Sequence, residues 1–224
     1  YTKINPLVVL LGKGEHQITS SWTDQYEIIH PTTLGITRSN ITFRGTGIDT
    51  TTVLGGFGIY NLENITFKHM TVTNTSALGG VGGVGIAMKN VEEVEMVDVA
   101  IKNCQGEGLY VASNESLKDK EQVVLTRCQL VENVLGVHAD GDANIKMTDC
   151  VIKSNLDTGI YAFASTVNLH GEATVIHSNG GDGIHAWNST KVIIHLPSSH
   201  NTIYNNGDQD RNTEDGGTIT NVED

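Results

Sequence analysis

Positive charge is scarce in this sequence of 224 residues. Lys and Arg together number 14 against 26 Asp and Glu, so the formal net charge is -12 at pH 7. A nucleic-acid partner requires a basic face that neutralises phosphates, so this composition excludes nucleic-acid binding. An anionic polysaccharide would meet the same repulsion unless cations lie between the two surfaces.

Cysteine, proline, aromatic residues and long apolar runs are also few. No run approaches the length of a membrane span, so none is expected. The three cysteines form no Cys-x-x-Cys pair, and their odd number fits neither a disulfide framework nor a zinc site. The 25 Gly outnumber the 3 Pro and accompany many Val, Ile and Thr, which predicts short strands and tight turns.

A repeat of about two dozen residues runs along most of the chain. Each unit begins with an alternating stretch, such as "ITFKHMTVTNT" from Ile65, and ends with a Gly and a second short strand, such as "GIHAW" from Gly183. In four consecutive alternating stretches, the third, sixth and eighth residues are apolar or small. These predicted inward residues are Phe67, Met70, Val72, Met96, Val99, Ile101, Leu125, Cys128, Leu130, Met147, Cys150 and Ile152.

Such a unit predicts a solenoid. Two or three short strands cannot bury their apolar face alone, whereas stacked units form a continuous core and parallel sheets without helices. We therefore expect an all-β chain, a parallel β-helix of about six or seven coils. Ile160 and Ile184 are expected to point inward and stack, and Val151 and Val175 to point outward.

The repeat resembles that of the pectate-lyase-like superfamily of right-handed parallel β-helices, over residues 40–206. "ITFRGTGIDTTTVLGGFGI", residues 41–59, is similar to the first coils of such proteins, and "VVLLGKGEHQI" to a lead-in strand. The resemblance implies one right-handed β-helix domain over residues 1–206. The polar, acidic residues 207–224 are expected to form a C-terminal cap or tail. The fold hosts lyases, hydrolases, epimerases, phage tailspikes and non-catalytic modules, so it leaves the function open.

An asparagine recurs at one corner of the repeat. These residues are predicted to form a ladder that satisfies backbone groups at the bend. The glycines that follow, Gly159 and Gly183, are expected to adopt positive φ. The asparagines are Asn133, Asn155, Asn179 and Asn206.

Two other columns have competing interpretations. Cys128 and Cys150 are expected to be stacked neighbours, near enough for a disulfide. We expect them instead to be reduced, buried side chains that fill the interior, and Cys104, at the asparagine corner, to be equally unreactive. A column of charged residues lies at a bend or on the outer surface. It is interpreted either as structural ion pairing between neighbouring strands or as a site where an arginine neutralises a uronate carboxylate. Its members are His69, Asp98, Arg127 and Asp149.

The most suggestive column begins two residues after each Gly. It contains Tyr60, Ala87, Tyr110, His138, Tyr161 and His185, and a second column two residues later contains Leu62, Lys89, Ala112, Asp140, Phe163 and Trp187. Aromatic faces stack on sugar rings, while His, Asp and Tyr supply hydrogen bonds and proton transfer. The predicted catalytic residues are His138, Tyr161 and His185. The predicted ligand-binding residues are Tyr110, Asp140, Phe163 and Trp187. A purely structural stack is the alternative.

These residues allow two classes of function. One is a non-catalytic module that binds a glycan or another partner, or serves as a structural surface or virion element. The other is a polysaccharide lyase or epimerase acting on a uronate-containing glycan. The Gly-His-Gly and Asn-Thr-Asp motifs of polygalacturonases, the Asp-Pro-His motif of mannuronan epimerases and the Arg-x-Pro-x-x-Arg stretch of pectate lyases are missing, which favours the first class.

No cofactor or metal site is predicted. "HADGDAN", residues 138–144, concentrates acidic side chains that could bind calcium, but it lacks the spacing of a calcium loop. The sequence does not indicate a compartment or an oligomeric state.

Overall fold

The computed structural model describes residues 1–24, 27–78, 81–114, 122–195 and 202–223. Within these ranges the chain forms 27 strands and no helix. The strands wind into a parallel β-solenoid of about seven turns, which confirms the predicted fold class. The alternation of apolar and polar residues produces this fold because each short strand presents one face to the interior and one to solvent.

Three parallel sheets form the walls of the solenoid. The first sheet contains Leu7–Leu10, Ile41–Arg44, Val123–Thr126, Asn144–Thr148, Thr166–His170, Lys191–His195 and Thr218–Val222. The second contains Gly14–Gln17, Thr51–Leu54, Gln129–Val131, Val151–Lys153, Val175–His177 and Ile203–Tyr204. The third contains Thr33–Ile36, Gly56–Tyr60, Ile86–Lys89, Leu109–Ser113, Val137–Gly141, Ile160–Phe163, Ile184–Trp187 and Arg211–Glu214.

Four further short strands and two long ones complete this architecture. Glu63–Thr73 and Glu92–Lys102 cross the bend between the first and second sheets and pair in both. Two short antiparallel pairs lie outside the three sheets. They are Trp22–Thr23 with Ile29–His30, and Ala77–Leu78 with Val81–Gly82.

The core lies between the three sheets. All the inward residues predicted from the alternating stretches are buried. Ile160 and Ile184 are paired neighbours and fully buried, whereas Val151 and Val175 are only half-buried. The alternation of residues along each strand therefore predicted the inward face correctly. A register shifted by one residue would have placed the inward side chains outside and the outward ones inside.

The cysteines are buried and unpaired, as the filler interpretation predicted. Burial raises the pKa of Cys104 to about 12. A hydrogen bond with Cys150 and burial together raise the pKa of Cys128. The hydrogen bond with Cys128 lowers the pKa of Cys150. Burial, common to all three side chains, makes them small fillers in a tight interior.

The predicted asparagine ladder is present at the corner between the second and third sheets. Asn155 donates from its backbone nitrogen and from Nδ2 to Oδ1 of Asn179, at 3.1 and 2.8 Å. Its Nδ2 also donates to the carbonyl of Leu130 at 3.2 Å. Cys104 takes the same position one coil before Asn133, and its backbone nitrogen donates to Oδ1 of Asn133 at 3.0 Å. The column thus satisfies the backbone where the chain leaves both sheets.

The expected positive φ at Gly159 and Gly183 is wrong. The left-handed residues of this corner are Ser154 and Ser178, with φ of 56° and 57°, one position before each asparagine. The glycines are required for space instead, because a Cβ on Gly159 would lie 2.7 Å from Nδ2 of Asn179. Close approach of the asparagine amide, and not backbone conformation, explains the glycine.

The repeat extends beyond residues 40–206 at both ends. Leu7–Leu10 pairs with Ile41–Arg44, which adds a strand before the first recognised unit. After residue 206, Arg211–Glu214 pairs with Ile184–Trp187, and Thr218–Val222 pairs with Lys191–His195. The polar residues at the C-terminal end therefore form strands that cover the last apolar coil.

Candidate functional site

The outer face of the third sheet carries a continuous column of rings. Parallel register places Tyr110, His138, Tyr161 and His185 on successive strands. Their ring centroids are 5.0, 5.2 and 5.3 Å apart in order, each pair packed edge to face. All four side chains are half-buried. We call these four residues the Tyr/His stack.

A second column lies beside the Tyr/His stack. Phe163 and Trp187 pack edge to face with centroids 5.0 Å apart, next to Tyr161 and His185. The Trp187 indole donates to the Asp215 carboxylate at 2.5 Å. Asp140 precedes Phe163 in this column, and the Tyr110 hydroxyl donates to it at 3.4 Å. The structure thus places all seven predicted site residues on one face.

The register of the first coil was predicted wrongly. Tyr60 pairs with Lys89 and therefore belongs to the second column, while Gly58 pairs with Ala87. The cause is a repeated glycine in "GGFGIY", where Gly56 and not Gly58 starts the unit. Leu62, expected in the second column, lies after the strand and packs against the core.

Each histidine of the stack has a carboxylate neighbour. His138 Nδ1 lies 3.5 Å from Glu107 Oε1, and the hydrogen bond to His138 lowers the pKa of Glu107. His185 Nδ1 lies 3.4 Å from Asp182 Oδ2. A carboxylate on one ring nitrogen orients the imidazole. The other nitrogen of His185, Nε2, is buried and lies 3.8 Å from Glu214 Oε2.

Asp182 is itself held in place by polar contacts. It is almost fully buried, and its carboxylate accepts from the backbone nitrogen of Gln209 at 3.0 Å and from Asn212 Nδ2 at 2.9 Å. A carboxylate held by these donors keeps the His185 ring in one orientation.

Tyr161 lies between the two histidines. Burial, together with the negative charges of Asp140 and Glu214, raises the pKa of its phenol. The hydroxyl therefore stays protonated near neutral pH, where it donates hydrogen bonds and does not act as a base.

Comparison with known proteins identifies the family. A family model described as "Right handed beta helix region" matches residues 27–170 and 135–223. The chain belongs to this right-handed β-helix family. Among curated proteins, no sequence matches it significantly.

Solved structures share the fold of this β-helix at low sequence identity. A Geobacillus virus E2 protein, ORF18, is 12% identical with a TM-score of 0.53, and the match covers 97% of this chain and 53% of the viral one. The chain thus spans about half the length of that protein. A pectin methylesterase in complex with a hexasaccharide is 11% identical, with a TM-score of 0.51 and coverage of 97% and 84%. The pectin methylesterase of Yersinia enterocolitica is 11% identical, with a TM-score of 0.50 and coverage of 97% and 89%.

Among the described residues, no group of three or more His, Cys, Asp or Glu side chains could hold a metal ion. Calcium binding by residues 138–144 stays an untested prediction. In the part of the chain that the structure describes, no helix has the length and apolar character needed to cross a membrane.

The charged column follows the bend between the first and second sheets. Arg127 Nε and Nη2 donate to the two oxygens of Asp98 at 2.7 and 2.8 Å, and His69 Nδ1 lies 3.3 Å from Asp98. These residues and Asp149 have φ between 52° and 57°. The bidentate pair supports the structural interpretation of this column over a role for Arg127 in binding uronate.

Sequence reasoning missed the carboxylates and the cover of this face. Glu107 and Asp182 each stand directly before the glycine of their coil, a signal that was available in the sequence. Trp22 precedes the recognised repeat and gave no such signal. Its indole lies against Gly35 and Gly58, where side chains at these positions would collide with it, and its ring centroid is 5.1 Å from that of His30. The hairpin of Trp22 and His30 thus covers the N-terminal end of the column that contains the Tyr/His stack.

Proposed function

We propose that this β-helix is a carbohydrate-binding module, and that its binding surface is the outer face of the third sheet. The observation that carries the proposal is the pair of adjacent ring columns, the Tyr/His stack and Phe163 with Trp187. Sugar rings present apolar CH faces that pack on aromatic side chains, with hydroxyls at their edges for hydrogen bonding.

Preorganised rings favour binding on this surface. Each ring of the stack packs edge to face on its neighbours at 5.0 to 5.3 Å. The strand register fixes the spacing, and the Trp187 indole is fixed further by its hydrogen bond to Asp215. Side chains that are already ordered lose little conformational entropy when a ligand binds, so more of the contact energy appears as affinity.

Negative charge around the columns indicates the kind of glycan. Glu107, Asp140, Asp182, Glu214 and Asp215 all border the two columns. Carboxylates accept hydrogen bonds from sugar hydroxyls but repel a uronate carboxylate. The surface therefore suits a neutral glycan better than an acidic one.

The comparisons add limited support. One of the pectin methylesterases of the same fold is described in complex with a hexasaccharide, so a surface of this fold can hold an oligosaccharide. The similarity at 11% identity concerns the fold alone.

Trp187→Ala tests the proposal. A glycan array first identifies a ligand, and titration of the variant should show affinity at least about fivefold weaker, because about 1 kcal/mol or more of stacking is lost. The melting temperature should fall by no more than about 2–4 °C, because one edge-to-face contact and one exposed hydrogen bond are lost. Val151→Ala, a half-buried residue on the second sheet, is the matched control and should change neither quantity. A larger fall in melting temperature, with no glycan bound to the native protein, would instead indicate a structural surface or virion element.

A catalytic role is the second candidate, and the Glu107–His138 and Asp182–His185 pairs on either side of Tyr161 favour it. In a lyase or epimerase acting on a uronate residue, a neutral imidazole would remove the proton next to the carboxylate. The protonated Tyr161 hydroxyl would donate to the departing oxygen of a lyase substrate. Tyr161→Phe should then abolish turnover and leave affinity nearly unchanged. Absence of turnover on uronate glycans, with or without calcium, rules this candidate out.

A further inference from the structure

A pocket of about 360 Å³ lies at the N-terminal end of the column that contains the Tyr/His stack. Ala87 and Met88 form its floor, where the small Ala87 side chain separates two aromatic residues of the same face. Trp22 bounds it on one side and Tyr110, the first ring of the stack, on the other. The volume lies within the range of small-molecule sites, about 300–1,000 Å³, and has room for about one or two pyranose rings.

Trp22 closes the N-terminal end of the groove that follows the Tyr/His stack, so the pocket is the end of that groove. Its indole occupies the space above Gly35 and Gly58, the two positions that precede Ala87 in the column. A chain that lies along the Tyr/His stack toward the N-terminal coils therefore meets the indole after Ala87. Only the last one or two residues of a glycan chain fit between Trp22 and Tyr110.

Polar groups in the pocket match a sugar without acidic substituents. Asp24 and Glu107 contribute carboxylates, and His30 Nε2 lies 3.0 Å from the Asp24 carboxylate. Lys89 contributes an ammonium group, and the Tyr110 hydroxyl, which donates to Asp140, adds an acceptor. Two carboxylates beside one ammonium favour hydroxyl donors over a second anion, while Trp22 and Ile28 supply apolar contact.

We infer that this pocket is a terminal subsite, which binds a neutral sugar residue at the end of a glycan whose following residues lie on the Tyr/His stack. The inference rests on the proposed carbohydrate-binding function and adds to it the class of ligand and the mode of recognition.

The chain's two tryptophans separate the two regions, since Trp22 lies in the pocket and Trp187 beside the stack. The Trp187→Phe variant retains only Trp22, which reports on the pocket. The Trp22→Phe variant retains only Trp187, which reports on the stack. The probes are cellohexaose, mannohexaose, xylohexaose and hexagalacturonate, with the methyl glycosides of glucose, mannose and xylose. We expect one neutral hexasaccharide to change the emission of both variants, and the matching methyl glycoside to change that of Trp187→Phe alone.

Ala87→Phe fills the floor of the pocket. It should weaken hexasaccharide binding at least tenfold and abolish methyl glycoside binding, whereas Val151→Phe on the second sheet should change neither. A second measurement uses the wild-type chain, in case Ala87→Phe does not fold. End recognition predicts that the parent polysaccharide, at equal mass, binds in proportion to its number of chain ends.

Several results would overturn the inference. They are tighter binding of hexagalacturonate, several copies of the protein bound along one polymer chain, or unchanged affinity in a folded Ala87→Phe variant. A change in Trp187 emission without one in Trp22 emission refutes the terminal subsite and leaves the binding function standing. If no glycan changes the emission of either tryptophan, both the proposed binding function and the terminal subsite are refuted.

Discussion

Two columns of recurring side chains extend along this solenoid, the asparagine ladder at one corner and the Tyr/His stack on the third sheet. In the ladder, Asn155, Asn179 and the backbone around them exchange hydrogen bonds until their polar groups are satisfied. In the stack, the four rings pack edge to face and keep part of their surface exposed on the outer face of the third sheet. Both columns follow from the same parallel register, so repetition alone does not distinguish them. Ring surface that remains accessible marks the stack as the column that can bind a ligand.

Asn155→Ala should have the largest effect and tests the structural side of this contrast. It removes the acceptor of Asn133 and the donor to Leu130, which leaves buried groups unpaired at about 1–3 kcal/mol each, so unfolding should become easier by about 3–4 kcal/mol. Urea denaturation measures this difference. Asn168→Ala, which removes a half-buried amide from the first sheet, is the control and should cost a small fraction of that energy. Equal losses in the two variants would contradict a special role for the ladder.

Tyr161→Ala tests the other column. It removes two edge-to-face contacts and half-buried ring surface, and should lower the free energy of unfolding by about 1–2 kcal/mol. The same urea denaturation series measures it. A loss as large as that of Asn155→Ala would mean that the Tyr/His stack is principally structural.

Cys104→Asn sharpens the comparison by extending the ladder. Cys104 already occupies the position of an asparagine, with its backbone nitrogen bonded to Asn133. An amide there can donate to Asn133 Oδ1, so we expect a gain of about 0.5–1.5 kcal/mol in stability. Cys104→Ala controls for the loss of the thiol and should show no gain. If the asparagine variant is no more stable than the alanine variant, the ladder does not extend to this coil.

The smallest effect concerns the pH dependence of Glu107. The hydrogen bond to His138 lowers the pKa of its carboxyl below the ordinary value of 4.5. Its contribution to stability is therefore present above pH 4.5 and is lost as the pH falls through the lower folded value. Wild-type protein should lose slightly more stability than Glu107→Gln in this acidic range, as measured by urea unfolding at a series of pH values. Glu63→Gln controls for the loss of one negative charge, and parallel curves for wild type and Glu107→Gln would refute the coupling.

The sequence predicted the interior well because the period of two has a strong physical basis. Ile160, Ile184 and the asparagine ladder followed from alternation and from a repeated corner residue. The register of Tyr60 failed because Gly56 and Gly58 offer two equally plausible starts for one unit.

The surroundings of the site were harder to predict than its rings. Glu107 and Asp182 lie in turns, where spacing varies between coils and no periodicity constrains the side chains. The Trp22 hairpin covers Gly35 and Gly58 through a contact between residues far apart in sequence, which no local pattern encodes.

The last rung of the ladder has a consequence for how the solenoid ends. Asn206 donates from its backbone nitrogen and Nδ2 to the carboxylate of Asp210, at 3.2 and 2.8 Å. An amide side chain both receives and passes on a hydrogen bond, whereas an ionised carboxylate only receives. Asp210 thus acts as a chain terminator for this series of bonds. The Asp210 carboxylate has no N–H to donate. An asparagine placed after it, in this chain or in another molecule, would therefore receive no hydrogen bond that continues the series.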